Sequence, residues 1–390
     1  MIPDGAPPAT DARQPFHTRL AVIAVAAMFG LTYSLAAPLI ALRLAASGLD
    51  DAWVGANAAM HAVGVLLIAP VLPLLVVRFG MRRLVLAALL LAALVLAAFA
   101  ADPPVWLWFV LRLMLGIASE TLFVLSETWT SQLAGEASRA RIMASYMTAM
   151  SLGFAAGPLL LSVTGTQGAL PFLAGAVPLL VAMAVIAAPG LAAPPVAAPG
   201  KGGLFRAFGL APLALAATVV NAAVEAAGLS FLALYAIGLG WPQGRATGLV
   251  STMMVGAIGL QLPIGWLGDR MDRLRLVALL ALTSAVGALL WPLVLAHRWA
   301  SFALVFVWGG VFVGIYTVML TIVGSRFRGA DLVGIYAAMG LTWGVGALLG
   351  PTIAGFAMEA LPHGLPLFVA VACLGFLAFV MLRRRRLAPA

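Results

Sequence analysis

After an opening of 18 residues, this chain returns repeatedly to apolar runs of 19 to 30 residues, each long enough to cross a hydrocarbon layer. They fall at 19–43, 52–77, 83–101, 104–128, 141–164, 169–188, 208–237, 245–268, 274–296, 299–323, 331–358 and 364–382. Inside lipid no water satisfies the backbone N–H and C=O groups, so runs of this kind fold as helices, each bonded within itself. Charged residues make up only 9% of the 390, against about a quarter in a soluble domain. A water-facing surface cannot be assembled from that supply. The first run is longer than the roughly 7–15 residues of a secretory signal core, so it is expected to stay as span 1.

The chain also repeats itself. Gly153-x-x-x-Gly157-Pro158 recurs as Gly346-x-x-x-Gly350-Pro351, displaced by 193 positions. The loop segment from Pro73 to Arg82 recurs from Gly265 to Arg273, displaced by 192. Two unrelated motifs with one displacement imply a duplicated half, the build of a secondary transporter with its site between the halves. Aromatic residues at the span edges, Trp53, Trp106 and Trp299 among them, match interfacial belts.

Charge sets the orientation. Of the 22 Lys and Arg residues, 18 fall at the termini or in alternate loops, on one side. Arg43, Arg245 and Arg298 fall on the other, and Arg112 lies within a span. By the positive-inside rule both termini are expected in the cytoplasm. The net charge of +9 is therefore an orientation signal toward the lipid bilayer, not a nucleic-acid surface. Pro and Gly crowd residues 189–207, which are expected to form a cytoplasmic linker. The expected organisation is a tail at 1–18, a six-helix bundle at 19–188, the linker, a second bundle at 208–382 and a tail at 383–390. The single cysteine, Cys373, excludes an intrachain disulfide and is expected to be a buried thiol.

Gly265-x-Leu267-x-Asp269-Arg270-x-x-Arg273, between spans 8 and 9, resembles the loop motif of the major facilitator superfamily. The paired Gly-Pro motifs of spans 5 and 11 resemble its helix-5 motif, best known in proton-driven drug exporters, and Arg112-x-x-x-Gly116 resembles its helix-4 motif. Ser126-Glu127-Thr128-Trp129, then Ser138-Arg139-Ala140-Arg141, with Gln261-x-Pro263-Ile264-Gly265-Trp266-Leu267, is similar to the bacterial YcaD-like branch. The resemblance implies an all-α integral membrane protein, 12 transmembrane helices in two pseudo-symmetric six-helix bundles. It also implies alternating access around a cavity lined by spans 1, 4, 7 and 10, in the bacterial cytoplasmic (inner) membrane. The first-half loop departs from the motif, with Pro73 in place of Gly and Val77 in place of Asp. Asp269 can sit against the positive end of a neighbouring helix, at the start of span 5, and lock the cytoplasmic side. The first half cannot. Asp331 is expected to cap its own helix.

A charge inside a span costs about 2.5–3.5 kcal/mol on insertion scales, so each is a functional candidate. These are Arg112, Glu120 and, at the cytoplasmic rim, Glu127 on span 4, and Glu225 on span 7. At about 1.5 Å per residue, Arg112 and Glu225 lie roughly 12 and 16 Å from the outer ends of their spans, and Glu120 about 12 Å deeper than Arg112. Glu225 and Glu120 are candidate proton acceptors; desolvation and a neighbouring guanidinium act on such a group in opposite senses. The competing reading is structural: Arg112 meets Glu225 or a backbone carbonyl and fixes packing. Glu127 is expected to form gate salt bridges with Arg139 or Arg141.

Asn221, one turn before Glu225, is a candidate solute contact or interhelical glue. Tyr33, Trp308, Tyr316 and Thr317 are candidates for an aromatic and hydroxyl cavity wall, or for plain packing. Asn57 and His61 share a face of span 2 and are expected to be satisfied polar contacts rather than metal ligands. Gly153, Gly157, Gly346 and Gly350 are expected to permit close helix approach, with Pro158 and Pro351 bending their spans.

No phosphate-binding loop, nucleophile elbow or Cys/His cluster occurs. The expectation is therefore a monomeric, non-enzymatic transporter without cofactor or metal, carrying a small, largely apolar or amphipathic solute by proton-coupled export. Uptake, uncoupled facilitation and a non-transporting receptor with the same fold are the alternatives. Fold alone does not decide among them.

Overall fold

The computed structural model describes residues 16–133, 139–189, 191, 208–327 and 329–387. Among them all regular structure is helical. In chain order the spans are Phe16–Ala46, Asp51–Ile68 continued by Leu72–Phe79, Met81–Ala100, Val105–Leu133, Arg139–Thr164 and Leu170–Ala187. The second half follows with Pro212–Gly238, Gln243–Gly259 continued by Gln261–Arg270, and Arg273–Leu289 continued by Trp291–Val294. Arg298–Arg326, Gly329–Ala360 and Gly364–Leu387 complete it. Eleven of these segments are long and apolar enough to cross a membrane. The twelfth, span 9, is the 17-residue helix Arg273–Leu289 with its short continuation. All but Pro189 and Leu191 of the expected linker lies outside the described residues.

Spans 2, 8 and 9, read from sequence as single helices, are each interrupted, and proline gives the reason. A proline inside a helix removes one donor and crowds the carbonyl four residues back. Pro70 and Pro73 fall within one turn, and span 2 breaks between Ile68 and Leu72. Pro263 and Pro292 sit in the first turns of the helices that restart after Leu260 and Leu290, where no intrahelical partner is lost. Pro38, Pro158, Pro178 and Pro351 stay inside continuous helices, as neighbouring helices allow in a membrane bundle.

Packing repeats the duplication. Spans 1 and 5 pack together as spans 7 and 11 do; the pairs 2 and 4, 3 and 6, and 3 and 4 recur as 8 and 10, 9 and 12, and 9 and 10. Between the bundles, span 2 lies on span 11, span 5 on span 8, and span 1 on span 7. Exchanging the halves maps the first of these pairs onto the second and the third onto itself. The Gly motifs show the same register. A Cβ on Gly153 would overlap the carbonyl oxygen of Ala27, and one on Gly346 that of Val219. Ala27 and Val219 are themselves 192 positions apart.

The bundles meet at the end remote from the termini. A Cβ on Gly55 would overlap the carbonyl oxygen of Pro351, and one on Gly355 that of Asp51. Gln243, at the start of span 8, donates to Thr166 in the loop after span 5. Arg43 pairs with Asp102 at 2.9 Å on the same side, tying the ends of spans 1 and 3. Outward-facing Leu152, Val163, Leu262, Leu293 and Val371 are exposed, the apolar coat that a lipid surround requires.

Candidate functional site

Tyr33 lies near the middle of span 1, where the bundles touch. Phe29, one turn earlier, shares its face, and the two rings stack at 6.2 Å. Phe154 of span 5 meets both edge-on, at 5.7 and 5.9 Å. His61 of span 2 stands 4.9 Å from Tyr33, and Trp343 of span 11 reaches it from the other bundle at 6.2 Å. The close approach of span 5 depends on its glycines: a Cβ on Gly157 would overlap Ser34 Oγ. Gly350 stands likewise against the carbonyl of Ala223 on span 7, holding the turn above Trp343 close.

Beside Tyr33 is a narrow crevice with a cavity volume of about 10 Å³. His61 and Arg112 line it from the amino-terminal bundle, and Ala226, Ser230 and Ala347 from the other. Arg112 is only 3% exposed, and its Nε and Nη1 have no hydrogen-bond partner. Burying an ion costs several kcal/mol unless a partner offsets it. His61 Nδ1 and both amide atoms of Asn57 are likewise buried and unpartnered. The expectation of satisfied polar contacts at these two residues is therefore corrected. Spans 2 and 4 pack closely here, since a Cβ on Gly116 would overlap the carbonyl of His61.

Glu225 occupies a second crevice, with Met253, Met254, Trp308 and Phe312, inside the carboxy-terminal bundle. Its Oε2 accepts from Asn221 Nδ2 at 3.2 Å, while Asn221 Oδ1 is buried without a partner. No ion pair joins Glu225 to Arg112; among the described residues the ion pair is Arg43–Asp102. Tyr33 is within electrostatic reach of both. The other wall candidates divide. Trp308 donates its indole N–H to Ser284 O at 2.9 Å and stacks on Phe312, so its polar edge points into its own bundle. The Thr317 hydroxyl donates to Gln261 Oε1 at 2.6 Å, joining spans 8 and 10. Tyr316 is half-buried, within electrostatic reach of Glu225 and Glu127.

Toward the terminal end, Glu120 and Glu127 are half-buried and form no ion pair among the described residues. The side chains of Arg139, Arg141 and Asp331 lie outside the described residues. The expected gate pairs and the expected cap at Asp331 lie there too. Asp269 is exposed and forms no ion pair among the described residues. Arg270 lies over the Trp266 ring at 3.9 Å, and Arg273 donates to Ser325 Oγ at 3.1 Å. The acid at work in this loop is Asp272, which caps span 9 by accepting from Arg275 N at 2.9 Å.

Three contributors escaped sequence reading. Phe154 lies inside and Trp343 just before a Gly motif already singled out, and Phe29 lies four residues before Tyr33. Those spacings were the available signal. Arg82, counted as an orientation charge, donates to the carbonyls of Ile186, Ala187 and Ala188 at the end of span 6. Among the described residues no group of His, Cys, Asp and Glu could hold a metal ion.

The family model described as Major Facilitator Superfamily matches residues 22–259 and 214–390. The chain is 25% identical over 357 residues to the uncharacterized MFS-type transporter YfkF of Bacillus subtilis (strain 168), covering 88% of this chain and 89% of the relative. An uncharacterized MFS-type transporter of Enterobacter sp. (strain 638) is 24% identical over 378 residues, covering 95% and 96%. Among solved structures, the nucleoside transporter NupG aligns with a TM-score of 0.75 at 15% identity, covering 94% of this chain and 99% of that one. A bacterial homolog of the human lysosomal transporter Spinster, inward-facing and unoccupied, gives 0.74 at 13%, covering 95% of each. At these identities the solved structures show the fold alone.

Proposed function

The chain belongs to the Major Facilitator Superfamily and is a multi-pass membrane transporter; from that premise we propose that it exports a small amphipathic solute by proton-coupled alternating access. The observation that carries this reading is the separation of Glu225 from Arg112. The two groups stand in separate crevices, Arg112 in one shared by both bundles and Glu225 in one inside the carboxy-terminal bundle, and among the described residues no ion pair joins them. Glu225 lies on span 7, which packs against span 1 of the other bundle; opening of its crevice to the two aqueous phases in turn as the bundles rock is the requirement for coupling proton movement to solute movement. Arg112, Tyr33 and Asn221 supply the remaining polarity of the pathway. Glu120 is a second proton-acceptor candidate, nearer the terminal end.

The positive-inside asymmetry supports cytoplasmic termini in a bacterial inner membrane. On that orientation the closed end is periplasmic and the state is inward-facing, ready to load a solute from the cytoplasm. Asp269, exposed and unpaired among the described residues, fits a cytoplasmic gate that is open; the same carboxylate with Arg270, Arg273, Glu127, Arg139 and Arg141 would engage when it closes. Pro158 and Pro351 lie where spans 5 and 11 must bend as the bundles rock.

The test is substrate-dependent proton flux in proteoliposomes under an imposed pH gradient, using solutes found by thermal-shift screening. Export predicts solute movement opposite to proton movement. Glu225→Gln is expected to keep solute binding and lose gradient-driven accumulation. Wild-type transport that ignores the gradient would remove the coupling, and co-movement of solute and protons in oriented vesicles would reverse the direction.

A further inference from the structure

The most unusual group in the molecule is the Arg112 side chain. It lines a crevice shared by both bundles, is 3% exposed, and leaves Nε and Nη1 without any acceptor. Nature's usual partner for a buried guanidinium is a carboxylate, and the described residues place none within ion-pair distance. His61 Nδ1, in the same crevice, is also buried and unpartnered. Apart from Ser230, the rest of the surroundings is mainly apolar: the rings of Tyr33, Phe154 and Trp343, with Ala226 and Ala347 from the far bundle. One wall offers the guanidinium and an imidazole nitrogen, and the other offers mainly hydrocarbon and ring faces.

Resting on the transport reading above, we propose that the solute is a small amphipathic organic anion. Its carboxylate is bound by Arg112, assisted by His61, and its apolar body lies against Tyr33 and Trp343. A planar carboxylate satisfies Nε and a terminal nitrogen of one guanidinium together. Donors left unpartnered by the protein thus become the recognition element. In this state the crevice has a cavity volume of only about 10 Å³, room for about one water molecule, so the anion takes its place as the bundles part. Because Tyr33 and Arg112 come from one bundle and Trp343 from the other, the anion bridges the two at the seam that must open.

Three matched probes test this: 3-phenylpropionate, 3-phenylpropionamide and 3-phenylpropylamine, titrated calorimetrically into the purified full chain in detergent. The carboxylate is expected to bind at least about ten-fold more tightly than the amide, the worth of a charge-assisted hydrogen bond. The amine is expected not to bind. Arg112→Gln is expected to erase the carboxylate preference, and Arg112→Lys to reduce it while keeping the charge. Should Arg112→Gln fail to fold, Arg112→Lys and the wild-type ranking decide. Equal binding of all three probes, a preference for the amine, no binding by any probe, or an unchanged preference in Arg112→Lys overturns the proposal; the guanidinium is then merely hydrated. The transport reading fails separately. Proton-coupled movement of a neutral or cationic solute sinks the anion and keeps the coupling, while carboxylate selectivity with gradient-insensitive flux does the opposite.

Discussion

At the scale of single residues, a charge in an apolar run is conspicuous, and Arg112 and Glu225 were legible for that reason. Their relation was not, because they come from different bundles and only packing sets the distance between them. The same holds for Trp308 and Thr317, whose residue types suit a cavity wall but whose polar atoms are taken up within the carboxy-terminal bundle. Trp308→Phe keeps the ring and removes the bond to Ser284, so it is expected to cost about 1 kcal/mol of stability. Solute affinity should not change; a large affinity loss, measured by calorimetry, would move Trp308 into the pathway. Arg82 makes the opposite point. In sequence it is one basic residue among many, while in the fold it closes the end of span 6 with three hydrogen bonds. Arg82→Gln is expected to lower stability by about 1 kcal/mol through lost end-capping. A lower thermal midpoint with unaltered transport is the signature; an altered transport rate would give Arg82 a part in gating.

Among elements, the Gly motifs divide by what surrounds them. Gly153, Gly157, Gly346 and Gly350 are pressed against backbone or side-chain atoms of a facing helix, whereas Gly265, in the loop motif, has nothing within 4 Å of a built Cβ. Gly350→Val is therefore expected to force spans 7 and 11 apart, at roughly 1–3 kcal/mol, and to lower the thermal midpoint sharply. Gly265→Ala in its short helix should leave the midpoint unchanged or raise it, since Ala is the better helix former by about 1 kcal/mol. If Gly265→Ala folds normally but stops transport, the glycine is needed in a state other than this one. Sequence located both motifs and could not separate them, because a glycine under compression and a glycine in open space read alike. The interruptions of spans 2, 8 and 9 were within reach of the proline positions, yet Pro38, Pro158, Pro178 and Pro351 show that proline alone does not announce a break.

Across the whole molecule, the two bundles touch at the end remote from the termini, and alternating access requires that this contact part. Gln243 and Thr166 meet there, and the single cysteine, Cys373, is buried. Cysteines at those two positions, in a Cys373→Ser background, are expected to be joined by a short bifunctional thiol reagent. Transport should then stop, and a reducible reagent should allow recovery on reduction. Transport at the full rate while joined would mean that this seam does not open.

What the sequence determined by itself was the solvent, the number of crossings, the duplication and the superfamily, since each follows from local composition or from a period along the chain. Tertiary structure alone decided which polar groups find partners. It set Arg112 and Glu225 in separate crevices, left His61 unsatisfied, turned Trp308 inward and placed Trp343 against Tyr33. The physical reason is that hydrophobicity is a sum over neighbours in sequence, whereas hydrogen-bond satisfaction in lipid depends on helices brought together from far along the chain.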